Sequence, residues 1–132
     1  MMMKREILFK AKSIDTGEWI ESMTIEMGTI ESTKNKLFMD TDNDGWVEVD
    51  PNSLSQYINK KDKNGKKVFE GDYDEDGNFV IWCDKCSSFE FGGVDLRLKE
   101  VYTTCYRCEG DFSLFDSIDD IEIIGNIADL IK

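Results

Sequence analysis

The sequence has no histidine, a single proline and no apolar run near the ~20 residues that a membrane-spanning helix needs. Bases are scarce as well, with 16 Lys and Arg against 28 Asp and Glu, for a formal net charge of −12. Each shortage removes a class of function. Without histidine there is no Ser-His or Cys-His catalytic arrangement and no imidazole base near neutral pH. With few cations to replace counterions, direct binding to nucleic acid or to an anionic membrane is not expected. No signal-peptide-like apolar stretch follows Met1 to Arg5, so the chain reads as cytoplasmic. What is present fits one domain over residues 1–132, mainly β, able to bury roughly two-thirds of its unfolded surface around a core.

Short alternating runs of Phe, Trp, Tyr, Val and Ile, separated by Asp, Asn and Gly clusters, predict antiparallel strands in a small barrel or sandwich-like arrangement. Glu6 to Lys12 and Trp19 to Met27 form a first hairpin about Asp15-Thr16-Gly17, and Leu37 to Met39 and Trp46 to Val49 flank a second turn. Asp50-Pro51 has the form of a helix cap followed by proline, which predicts one or two helical turns over Pro51 to Tyr57. Asp62-Lys63-Asn64-Gly65 and Asp74-Glu75-Asp76-Gly77 are further turns, the second leading into a strand from Asn78 to Trp82. Later strands are expected at Ser88 to Phe91, Asp95 to Thr103, Asp111 to Phe115 and Ile121 to Ile124. The spacing of Ile127, Leu130 and Ile131 predicts a short closing helix capped by Asn126.

The four cysteines fall into two pairs, Cys83-Asp84-Lys85-Cys86 and Cys105-Tyr106-Arg107-Cys108. A two-residue gap lets both thiolates of a pair turn to one ion, and two pairs complete the tetrahedral Cys₄ shell that Zn²⁺ favours. Each pair falls in a turn between expected strands, so residues 79–115 read as a zinc-ribbon-like double hairpin with a structural zinc. Lys85 and Arg107 hold equivalent places within the pairs, where a cation offsets the net −2 of a Zn(Cys)₄ centre. Ser87 and Glu109 stand where a tight knuckle often has glycine. The competing readings are two disulfides, which a reducing cytosol disfavours, four unrelated thiols, and a redox Cys-x-x-Cys, whose βαβ setting is missing. Four thiolates leave no open coordination position for catalytic zinc.

Other constellations are weaker. Asp40-Thr41-Asp42-Asn43-Asp44-Gly45 reproduces the first half of a calcium loop, but its twelfth place holds Pro51, so a plain β-turn is the better reading. Glu70, Asp72, Asp74, Glu75 and Asp76 form an acidic cluster that reads as an exposed, solvated turn rather than a carboxylate site. Trp19, Trp46 and Trp82 alternate with Ile20, Val47 and Ile81 in the manner of core residues.

Three segments together resemble the YopX family of small phage and prophage proteins. They are REILFKAKSIDTGEWIE near the N-terminus, VDPNSLSQYINKKDKNGKKVFEGD from Val49 to Asp72, and IEIIGNIADLI near the C-terminus. The central one matches the family's Pro-to-Gln-Tyr segment, its Asp-Lys-Asn-Gly turn and its Phe-Glu-Gly-Asp ending, although Ile58-Asn59 replaces the usual Thr-Gly. The paired cysteines lie outside the general family pattern. The resemblance implies a phage-encoded origin, a bacterial host cytosol and a small β-rich domain, and it carries over no activity.

These readings converge on a non-enzymatic protein that acts through contacts with a protein partner, with exposed strand edges also allowing a homo-oligomer. One alternative is an acidic nucleic-acid mimic that inhibits a host DNA-binding protein. Another is a carboxylate-based metal-dependent hydrolase using Asp72, Asp74 and Asp76 with Mg²⁺ or Mn²⁺.

Overall fold

A computed structural model describes residues 5–101, 105–110 and 118–130. The fold is mainly β, with three small antiparallel sheets and 3₁₀ turns as the helical elements among the described residues. The chain gathers into two compact units, Met1–Tyr57 and Ile58–Lys132.

In the first unit, strands β1 (Phe9–Lys12) and β2 (Trp19–Ser22) form the expected hairpin, in register from Phe9↔Ser22 to Lys12↔Trp19. Its turn is closed by Ser13, whose hydroxyl accepts from the Asp15 and Thr16 amides. The strand expected to run on to Met27 breaks at Met23. Ser22 Oγ accepts the Thr24 amide at 3.0 Å and donates to the Asp40 carbonyl at 2.7 Å, a local side-chain bond that turns the backbone out of the ladder. Past the break, β3 (Ile25–Met27) pairs instead with β4 (Leu37–Thr41), which pairs with β5 (Gly45–Val49). Buried Ala11, Leu37, Met39 and Val49 form this unit's core.

The helix expected over Pro51 to Tyr57 is one 3₁₀ turn, Pro51–Ser53. Asp50 does cap it, accepting from the Asn52 amide at 3.0 Å. Beyond Leu54 the chain is strand β6 (Ser55–Lys61), with Ser55 and Tyr57 buried and Gln56 exposed in strict alternation. The Tyr57 amide finds the Leu8 carbonyl at 2.9 Å, so pairing with β1 takes the donors that a longer helix would have used. β6 continues into the second unit, where it lies beside β7 (Lys67–Phe69).

The second unit's main sheet has the order β11-β10-β9-β8-β12, from β8 (Asp72–Tyr73), β9 (Asn78–Cys83), β10 (Ser88–Asp95), β11 (Glu100–Val101) and β12 (Gly125–Asn126). Its backbone is the β9–β10 hairpin, in register from Cys83↔Ser88 to Asn78↔Gly93. β10 outruns the expected Phe91 end through Gly92 and Gly93, which stay paired with Phe79 and Asn78. The strand expected from Asp95 to Thr103 instead turns at residues 96–99, with Lys99 at φ 57°, before β11 returns along β10. Val68, Val80, Phe91, Ile118 and Ile123 form a separate core.

Near the C-terminus, the expected strand over Ile121 to Ile124 is irregular chain that follows a 3₁₀ turn at Ile118–Asp120. Its amides are nevertheless used, with Ile123 donating to Asp62 Oδ2 and Ile124 to the Tyr73 carbonyl, both at 2.9 Å. Asn126 caps the next segment as expected, accepting from the Ala128 amide, but that segment is the single 3₁₀ turn Ile127–Asp129. The expected strand Asp111 to Phe115 lies outside the described residues. Among them, no helix is long and apolar enough to cross a membrane.

Candidate metal centre

The first cysteine pair is built by the β9–β10 hairpin. Cys83 closes β9 opposite Ser88, and residues 84–87 form the turn that carries Cys86. The second pair sits in the turn at residues 105–110, which docks on β10 through the Tyr106 amide and the Phe91 carbonyl at 2.8 Å. All four Sγ atoms lie within 4.8 Å of one another, the one such group of His, Cys, Asp or Glu ligands among the described residues. Cys83 and Cys108 sulfurs are 3.5 Å apart, Cys86 and Cys108 3.6 Å, and Cys86 and Cys105 3.7 Å.

Those separations can be tested against chemistry. Four sulfurs at 2.3 Å from a tetrahedral ion sit about 3.8 Å from each other. A disulfide needs about 2.05 Å. The cluster therefore has the dimensions of a Cys₄ ion shell and not of two disulfides, and all four thiols are free. Cys105 is buried, Cys83 and Cys86 are half-buried, and Cys108 is exposed.

Both pairs also share a local device. The Cys108 amide donates to Cys105 Sγ at 3.3 Å, and the Cys86 amide donates likewise to Cys83, which brings that thiol down to about 7. An N–H aimed at a sulfur favours the thiolate that a metal ligates. Cys108 is pushed the other way because its neighbours Cys105, Cys83 and Cys86 accept its proton, and burial pushes the Cys86 thiol up.

The places without glycine are accommodated differently in the two pairs. Ser87 itself adopts φ 52°, the left-handed backbone that a knuckle requires, while after the second pair the left-handed residue is Gly110, at φ 85°, one place beyond Glu109. Lys85 is exposed. Arg107, expected to balance thiolate charge, reaches the carboxylate of Glu90, with Nη1 to Oε2 at 3.4 Å. Glu90 was not singled out by sequence reasoning. A lone acid among Phe89, Phe91 and two glycines on a strand was the available signal.

The other candidate sites resolve into structure. Asp72 and Asp74 are not exposed as expected but buried, at 1% and 3% exposure. Asp72 accepts from the Phe69 amide and the Asn126 side chain, and Asp74 from the Asp76 and Asn78 amides and the Asn78 side chain. These carboxylates pin turns, each bound to its own donors, and Asp72, Asp74 and Asp76 are not gathered as a ligand group. Asp40 to Gly45 is a hairpin turn in which Thr41 Oγ1 accepts from the Asp44 amide and donates to the Gly45 carbonyl. Trp46 and Trp82, expected in the core, are about half exposed at 49% and 48%. Trp82 stacks edge-on to Phe89 and donates to Asp84 inside the first cysteine pair. Comparison with known proteins returned no matching family model and no matching curated protein.

Proposed function

We propose that the chain is a non-enzymatic phage or prophage protein acting through protein contacts, with a structural zinc ion held by Cys83, Cys86, Cys105 and Cys108. The observation that carries the metal part is the convergence of four free thiols from two segments to within 4.8 Å, at sulfur–sulfur distances suited to a tetrahedral ion. Four thiolates fill the shell, so the ion braces the fold and activates no water. Zinc bound at such a site contributes ~10 kcal/mol or more to local folding. That is large beside the small core beneath β9 and β10. The protein-contact part draws on the half-exposed Trp82 beside this braced tip, since an indole with one face free is a frequent anchor at interfaces. The phage origin rests on the YopX-like segments.

Native mass spectrometry of the untreated protein tests the metal part. One zinc per chain is the expected mass increment, together with the assembly state. A metal-free mass in protein that elemental assay also finds free of zinc would overturn the metal assignment. Pull-down from bacterial lysate at rising salt tests the contact. Retention at high salt that is lost in Trp82→Ala supports an apolar protein interface. Capture confined to basic DNA-binding proteins at low salt would replace it with the acidic-mimic reading.

A further inference from the structure

The two cysteine pairs are on separate segments, and within the second the Cys108 amide donates to Cys105 Sγ at 3.3 Å. What such a bond within a pair does not set is the distance between the pairs. Glu90 is placed to set it. Its side chain is fully buried, at 0% exposure, and its Oε2 accepts from two sides. Ser88 Oγ donates to it at 2.6 Å, and Ser88 is the β10 residue paired directly with Cys83. Arg107 Nη1 donates to the same oxygen at 3.4 Å, and Arg107 lies between Cys105 and Cys108. Ser88 and Glu90 are two apart on a strand, so their side chains share a face. One carboxylate oxygen therefore joins the first pair's hairpin to the second pair's loop.

A buried carboxylate is costly unless it is paired and hydrogen-bonded, so Glu90 enforces both contacts where a neutral side chain would tolerate their loss. The Tyr106–Phe91 backbone bond holds the same loop at the adjacent residue, which leaves the swing of the Arg107 side of the loop as the freedom to be removed. We propose that Glu90 is a positioning residue for the metal centre, fixing the separation of the two cysteine pairs through Ser88 and Arg107. This rests on the metal assignment proposed above. Partners that orient ligands from behind typically change metal affinity about 10- to 100-fold when removed.

The test is Co²⁺ titration of the full chain against a competing chelator, followed in the visible absorption of tetrahedral thiolate-bound cobalt, with urea unfolding of each metal-free variant alongside. Glu90→Ala is expected to weaken Co²⁺ binding by about 10- to 100-fold. Glu90→Gln keeps an acceptor in place but removes the buried charge that enforces both contacts, and is expected to recover only part of that loss. If Glu90→Ala does not fold, Ser88→Ala and Arg107→Met each remove one arm, and both are expected to weaken binding, with Arg107→Lys partly restoring it. Variants that unfold more easily without metal, yet bind Co²⁺ as tightly as the parent once folded, would show a purely structural carboxylate and overturn the proposal. A parent chain that binds no Co²⁺ would overturn the metal assignment itself, an outcome distinct from equal binding by parent and variants.

Discussion

Ser87 carries a left-handed backbone without being glycine, and the conformation costs an L-residue roughly 1–2 kcal/mol. A β-branched side chain cannot adopt it without further strain. Ser87→Val is therefore expected to destabilise the hairpin tip by about 1–3 kcal/mol, while Ser87→Gly is close to neutral, both read by thermal unfolding of the metal-loaded protein. Asp62 does comparable work in the turn at residues 62–65. Burial pushes its carboxyl up, but the Ile123, Lys66 and Asn64 amides together outweigh that and bring it below the ordinary 3.8. A carboxylate depressed in the folded state adds stability that is present above the unfolded pKa and lost as pH falls through the lower folded value. Asp62→Ala should cost on the order of 2–3 kcal/mol at pH 7 by removing three bonds from amides to a carboxylate, of which that from Ile123 is buried. It should also flatten the loss of stability below pH ~4, as urea titrations across that range would show.

The β8–β9 turn and the β9–β10 hairpin show how much of the local structure could be read in advance. Asp74-Glu75-Asp76-Gly77 is a turn as expected, and Gly77, at φ 85°, is its sharp point. A Cβ there would stand 2.6 Å from the Val94 carbonyl oxygen, so Gly77→Ala is expected to cost about 2 kcal/mol or more in denaturant unfolding. Turn residues and cysteine spacing were legible because their chemistry is local. The cap at Asp50 was legible for the same reason, yet the helix it announced stopped after one turn, because the partner that claimed Tyr57 is Leu8, far off in sequence. Strand β8 and the pairing of Gly125 and Asn126 with it escaped the alternation test, since two residues show no period. Asp72 and Asp74 looked like solvated acids because nothing in an Asp-rich run tells which carboxylates turn inward to amides and which face water. The gathering of the four cysteines was legible from their spacing and their place in expected turns, whereas the Glu90 contact was not, since Arg107 lies 17 residues further along the chain.

Each unit has its own buried cluster, and the cysteines belong wholly to the second. Metal loss should therefore register unevenly along the chain. Stripping the ion with a chelator under reducing conditions is expected to raise hydrogen exchange over Asn78 to Asp95, with the β4–β5 hairpin keeping more of its protection. Uniform loss of protection along the chain would contradict this. A second readout is already installed in the sequence. Of the chain's three tryptophans, Trp19 and Trp46 belong to the first unit, while Trp82 precedes Cys83 and is hydrogen-bonded to Asp84. An indole tethered inside the ligand loop is an optical gauge of occupancy, one that Co²⁺ would dim on arrival and Zn²⁺ would restore on exchange, with Trp82→Phe silencing the signal while the remaining two supply a steady baseline.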